Sequence, residues 1–301
     1  MTPPLIAVIT TGGTIASQRN ADGSSSPSLD GQALLARLGC LPPVRLRVVD
    51  LFARDSSTLT LGDMQAISDA VGAELAGGVA GVVVLHGTDA MEETALLLAL
   101  QHPGAPVVLT GAQFTNDHPQ ADGPANMTAA IRAVLEGGGV RLAFGGRLLP
   151  AWGLVKYATD SADAFRLAVK DVAPDVRLAA PVGRVRVDVV AIHPGADATH
   201  LDASLAAGAQ GIVLAALGSG NASVAIRDAV ARAHAAGVPV VVSSRVPTGR
   251  LAASYGGGGG GHDLMRAGAV LSAVLRPGQA RVLLAALIAA GQVDRAGALF
   301  G

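Results

Sequence analysis

Residues 5–16, Leu5-Ile6-Ala7-Val8-Ile9-Thr10-Thr11-Gly12-Gly13-Thr14-Ile15-Ala16, join an apolar, β-branched run directly to a two-glycine turn. The run reads as a strand, and the glycines let the backbone turn sharply at its carboxyl end. Thr14 is thereby displayed at the edge of the sheet, where open α/β folds gather their ligands. The spacing is not G-x-G-x-x-G, so this is no dinucleotide fingerprint. A glycine pair after a strand is also an ordinary turn, and the motif alone assigns no chemistry.

Outward from this strand, short apolar runs at 82–85, 107–109 and 141–144 alternate with alanine-rich helical stretches at 64–75, 91–100 and 126–135. Such alternation builds a parallel sheet with helices on both faces. A shorter series follows, with strands at 187–192, 211–215 and 238–243 and a closing helix at 278–290. Residues 165–186 carry Pro174, Pro181 and several charges without clean periodicity, which places a boundary in or soon after them. The expected fold is α/β: a larger N-terminal open sheet with flanking helices, residues 1–185, and a smaller C-terminal α/β domain, residues 186–301. The polar, serine-rich segment 18–28, with Gly23, reads as a lid beside the first strand. The six glycines at 256–261 read, by composition, as a flexible linker.

Composition narrows the function. Of 301 residues, half are hydrophobic and 15% charged, which suits strands buried on both faces and excludes disorder. Formal net charge is -1, with both signs interspersed, so no nucleic-acid or membrane partner is expected and a small, locally recognised ligand fits better. The single cysteine, Cys40, forms no internal disulfide and no cysteine metal cluster, which agrees with a cytoplasmic setting. No basic segment precedes residues 5–10, which are too few for a signal core. The uncharged stretch 206–226 has membrane-span length, but Gln210, Gly218, Ser219, Gly220 and Asn221 make it strand, loop and helix start.

A second strand end supplies His86-Gly87-Thr88-Asp89, followed by Met91-Glu92-Glu93-Thr94 opening a helix. Asp89 is either a helix cap or a carboxylate for a substrate ammonium group, with Thr88 and Asp89 meeting Thr14 across the sheet edge. Lys156 stands out because the chain has 22 cationic residues and only two lysines, Lys156 and Lys170. A lysine amine acts as a base once it has lost its proton, whereas a guanidinium does not.

Four segments together resemble the bacterial L-asparaginase/glutaminase family: residues 11–16, residues 86–94, Ala121-Asp122-Gly123-Pro124, and Ser243-Ser244-Arg245-Val246-Pro247-Thr248-Gly249. They come in the family's order and at compatible spacing, from about residue 5 to about residue 290. The resemblance implies Thr14 as nucleophile and Thr88, Asp89 and Lys156 as a second catalytic trio. It implies that Asp89 holds the substrate's α-ammonium group, that Ser56 with neighbouring Ser57 holds its α-carboxylate, and that Asn221 is lent by a neighbouring subunit. Lys156 stands nine residues before Phe165, as the family's lysine stands before its phenylalanine. The implied assembly is a homotetramer of close dimers, or a dimer, with shared active sites.

This sequence departs from the family's periplasmic members in three places. Segment 18–28 has no lid tyrosine, Ser57 replaces glutamine or glutamate, and residues 255–262 offer no counterpart to a donated glutamate. The expected activity is hydrolysis of L-asparagine to L-aspartate and ammonia through a Thr14 acyl-enzyme, with weaker action on glutamine and no metal or organic cofactor. Lys156, acting through Thr88, would be the base, and amides of the glycine-rich turns the oxyanion donors. The alternatives are a non-catalytic sensor of a small amino acid, and an amidotransferase subunit, which would need a nucleic-acid partner.

Overall fold

The computed structural model describes residues 2–19, 22, 24–27, 29–170 and 173–301. They form two compact units, Met1–Arg166 and Leu167–Gly301, divided at the beginning of the aperiodic segment 165–186.

In the first unit, β1 (Leu5–Gly12) is flanked by β4 (Arg45–Arg54) and β5 (Gly81–Leu85), and the sheet continues through β6 (Val107–Thr110), β7 (Val140–Phe144) and β8 (Arg147–Pro150) in the order β4-β1-β5-β6-β7-β8. All pairs are parallel except β7 with β8. The chain leaves β1, lays β4 on one side of it and then returns to lay β5 on the other. β1 is therefore the topological switch point, where the loops after neighbouring strands diverge and open a crevice at their carboxyl ends. Strand β4 escapes a periodicity reading: Arg45, Arg47 and Arg54 interrupt its apolar residues, as befits an edge strand.

Helices cover both faces of this sheet. On one face α4 (Gly123–Leu135) packs Met127, Ile131 and Val134 against Ile6, Val8, Val83, Leu85 and Val108. On the other lie α2 (Leu61–Ala76), closed at its N-terminus by a Thr60–Asp63 capping box, and α3 (Met91–Gln101), most of which is buried. A short α1 (Gly31–Leu35) is capped by Asp30. Within the expected lid, β2 (Ser17–Arg19) and β3 (Ser25–Pro27) pair antiparallel, so the segment is a hairpin at its base. Asn20, Ala21, Gly23 and Ser28 lie outside the described residues. The last strand wholly within this unit, β9 (Leu154–Lys156), is only three residues long, and the N–H of Tyr157 that follows it donates to Ala164 O at 2.7 Å. Strand β10 (Phe165–Leu167) begins immediately after Ala164.

The second unit is a four-stranded parallel sheet, β11 (Val187–Ala191), β12 (Gly211–Ala216), β13 (Val240–Ser244) and β14 (Val270–Leu271), hydrogen-bonded in sequence order. Its core gathers Ile212, Leu214, Ile226, Val230, Val242 and Leu264. Around the sheet run α5 (Thr199–Ala206), α6 (Val224–Ala235), α7 (Gly261–Arg266), α8 (Pro277–Ala289) and α9 (Ala296–Phe300). The stretch 206–226 holds the end of α5, all of β12 and the start of α6. Among the described residues, no helix is long and apolar enough to cross a membrane.

The glycine run is not a structureless linker. The Asp263 carboxylate accepts the N–H groups of Gly258 at 2.7 Å and Gly260 at 3.2 Å, fixing the start of α7. A Cβ on Gly260 would lie 2.0 Å from Tyr255 O, and one on Gly259 2.6 Å from the backbone of Ser223. Gly259 and Gly260 are required because backbone packs on backbone there, and Gly257 and Gly258 because their φ values of 95 and 104 favour glycine, causes that composition does not reveal.

Candidate active site

Three strand ends meet at the switch point. Gly12 and Gly13 have φ of 96 and 78, in the left-handed region that favours glycine. A Cβ on Gly13 would lie 2.4 Å from Gly87 Cα, and one on Gly87 2.5 Å from Ser56 Oγ. The turns after β1, β4 and β5 are thus in close contact, and each of the first and third presents a threonine at the next position, Thr14 and Thr88. Side chains lock the strands behind them: Thr10 Oγ1 donates to Asp50 at 2.7 Å, joining β1 to β4, and Thr11 Oγ1 donates to Leu85 O at 3.0 Å, joining β1 to β5. Thr14 opens a single 3-10 turn, Thr14–Ala16, and is partly exposed. Its hydroxyl has no protein partner among the described residues.

Ser56 is buried and its Oγ accepts the Asp89 N–H at 3.1 Å, which leaves its own hydroxyl proton for another acceptor. Ser57, next to it, is exposed. Thr88 is buried, while Asp89 is exposed. Lys156 joins them: its Nζ donates to Thr88 Oγ1 at 2.8 Å and to Asp89 Oδ1 at 2.7 Å. Asp89 does not cap α3. The N-cap position belongs to Ala90, without a side-chain cap, and the Asp89 carboxylate turns to Lys156 instead. Its second oxygen has no protein partner among the described residues.

Two further residues, both within segment 86–94 but given no role by the sequence, support this cluster. His86 is fully buried; its Nδ1 lies 2.6 Å from Gly87 O and its Nε2 3.0 Å from Thr94 Oγ1. A carbonyl only accepts, so Nδ1 carries the proton and Nε2 accepts from the threonine, which makes the ring a neutral staple across the β5–α3 turn. Burial holds its pKa down at about 4. Glu92, in the first turn of α3, accepts the backbone N–H of Lys156. Desolvation of its carboxylate pushes its pKa up to about 7, with Glu93 pushing the same way and the Lys156 N–H bond opposing both.

Other motif residues turn out to be braces. Asp122 accepts the N–H groups of Gln113 and Phe114 and the amide of Asn126, whose own carbonyl oxygen holds Gly145 N–H at 3.1 Å; together they tie the loop after β6 to α4. In the second unit, Ser244 Oγ donates to Gly218 O at 2.6 Å and Ser243 Oγ to Leu275 O at 2.8 Å. Asn221 belongs to that unit, where its Oδ1 accepts the Gly261 N–H at 3.1 Å.

The chain matches two family models, the asparaginase N-terminal domain over residues 5–177 and the glutaminase/asparaginase C-terminal domain over residues 186–297. It is 34% identical to a probable L-asparaginase of Deinococcus radiodurans over 96% of this chain and 94% of that one. It is 30% identical to a glutamyl-tRNA(Gln) amidotransferase component of Aeropyrum pernix, covering 82% of this chain and 66% of that protein. Among solved structures it resembles a probable cytoplasmic L-asparaginase from Campylobacter jejuni, with a TM-score of 0.85, 27% identity and 99% of both chains covered. Sheet order, the meeting of the strand-end turns and these likenesses agree, and the chain belongs to the asparaginase/glutaminase family of amidohydrolases.

Proposed function

We propose that the chain hydrolyses the side-chain amide of L-asparagine, giving L-aspartate and ammonia. The observation that carries this reading is Lys156 Nζ, within hydrogen-bond reach of both Thr88 Oγ1 and Asp89 Oδ1, beside the turn that packs on Gly13. Thr14 Oγ1 adds to the amide carbonyl carbon as its proton passes through Thr88 to Lys156. The C–N bond breaks, the amine takes the proton and leaves as ammonia, and water then cleaves the Thr14 ester to release aspartate. The oxyanion needs donors that are not already engaged. Gly13 N–H is bonded to Arg54 O and Asp89 N–H to Ser56 Oγ, whereas the Thr88 N–H has no protein acceptor among the described residues, and we assign it this role.

Substrate orientation falls to charged and polar groups at the same rim. The free oxygen of Asp89 takes the α-ammonium group, and the Ser56 hydroxyl, with Ser57 beside it, takes the α-carboxylate. Asn221 is assigned to a neighbouring subunit's site in a dimer or tetramer. A cytoplasmic location rests on the lone cysteine and on the description of the Campylobacter neighbour. The amidotransferase reading is weaker, since the chain spans 94% of the Deinococcus relative but 66% of the Aeropyrum one. A sensor would have no use for the Thr14, Thr88 and Lys156 set.

Ammonia release measured side by side with L-asparagine, L-glutamine and their D-isomers tests the assignment. Turnover should be fastest with L-asparagine and weaker with L-glutamine. No release from either L-amide by the folded protein contradicts it.

A further inference from the structure

Glu92 has no part in the hydrolysis described above, yet it grips the residue on which that chemistry depends. Its carboxylate accepts the backbone N–H of Lys156, while the Lys156 side chain returns to Thr88 and Asp89. Both ends of Lys156 are therefore held by one stretch, residues 88–92, at the start of α3. The holding has a reason in the fold. Strand β9 is three residues long, and so short a strand has few ladder hydrogen bonds to fix where its last residue points. A lysine side chain adds four rotatable bonds beyond that backbone.

Enclosing a carboxylate is costly, and the rise of its pKa to about 7 records the cost. An apolar side chain of similar length would fill the space without it, but would leave the Lys156 N–H unmet. We infer that Glu92 is a positioning residue of the reaction, anchoring the backbone of Lys156 so that its Nζ spans Thr88 and Asp89. The inference rests on the assignment of Lys156 proposed above.

The scarcity of lysine supplies the test. Lys156 and Lys170 are the chain's only lysines, and Lys170 is exposed. Protein labelled with 13C at lysine Cε therefore gives two signals, which Lys156→Met assigns. Glu92→Gln keeps a carbonyl acceptor of the same length, and Glu92→Met removes it. In Glu92→Met the Lys156 signal should move toward that of Lys170, and its two ε-protons should lose their inequivalence. In the same variant kcat should fall at least about tenfold with KM changed less than about threefold, a loss that disappears in a Lys156→Met background. Glu92→Gln should keep a distinct Lys156 signal and kcat within about threefold of the parent.

An unaltered Lys156 signal in Glu92→Met, or the same fold loss in both backgrounds, overturns the inference. Should Glu92→Met fail to fold, collapse of the Lys156 signal in Glu92→Gln overturns it equally. The lysine signal needs no turnover. A parent protein that releases no ammonia thus defeats the proposed function, while the spectrum still decides the role of Glu92.

Discussion

At the scale of single residues, the chemistry turns on whether Lys156 is needed as an amine or as a positive charge. Its Nζ contacts a hydroxyl and a carboxylate at once from a single nitrogen; a guanidinium could meet both acceptors as a fixed cation but could not serve as the base. Lys156→Arg should therefore lose nearly as much activity as Lys156→Ala, on the order of 100-fold or more for a lost proton-transfer group. Initial rates from pH 7 to 9 check this; an arginine variant that keeps most of its rate makes the base some other group. Thr14, Thr88 and Asp89 stand out in the sequence because they follow apolar runs that end in glycine turns, and Lys156 because it is a rare lysine among arginines; Ser56 is pointed to by the family resemblance alone, since the strand before it shows no clear period. Glu92 was not legible. An acidic residue in the first turn of a helix is the ordinary complement to the helix dipole, and nothing local shows that this one faces a backbone N–H 64 positions away.

At the scale of elements, the β5–α3 connection carries two titratable groups, the buried His86 and the partly buried Glu92, whose effects on stability oppose each other. His86 has a folded pKa of about 4 against an ordinary 6.5, so the unfolded chain binds its proton first as pH falls. Its contribution is full above about pH 6.5 and is lost as pH falls toward 4. Glu92 runs the other way: with a folded pKa of about 7 against an ordinary 4.5, its contribution is full below about pH 4.5 and is lost as pH rises toward 7. Glu92→Gln removes only the second effect. Relative to the parent, the variant should gain up to about 3 kcal/mol in unfolding free energy between pH 4.5 and 7. Its own stability should rise with pH over that range as the His86 effect stands alone. Chemical denaturation at several pH values reads both, and a parent-to-variant difference that stays flat contradicts the raised Glu92 pKa. The long apolar strands and helices were readable from pattern, whereas β4, interrupted by arginines, and β9, three residues long, were not. Charged residues break the apolar run of the ten-residue β4, and β9 has too few positions for a period to show.

At the scale of the whole molecule, the question is whether one chain suffices. The division into two units was legible, because the apolar alternation stops near residue 165 and resumes near residue 187; the packing of the glycine run was not, because composition does not distinguish a linker from a close backbone contact. Asn221 holds Gly261 within its own unit, and the proposed role in a neighbouring subunit's site asks it to serve there as well. If that role holds, inactive Thr14→Ala protein refolded with impaired Asn221→Ala protein should recover part of the parent's activity, since some mixed assemblies contain one site with neither defect. A mixture no more active than its separate components, or a fully active monomer, excludes the shared site. The central claim is the Thr14 ester, and the most direct measurement is the mass of protein quenched during turnover of L-asparagine, followed by mapping of any adduct. An aspartyl adduct is expected on the peptide containing Thr14. A folded Thr14→Ala protein, destabilised by no more than about 1 kcal/mol, should form no adduct and release almost no ammonia. Hydrolysis of L-asparagine by that variant at near the parent rate would contradict the ester mechanism.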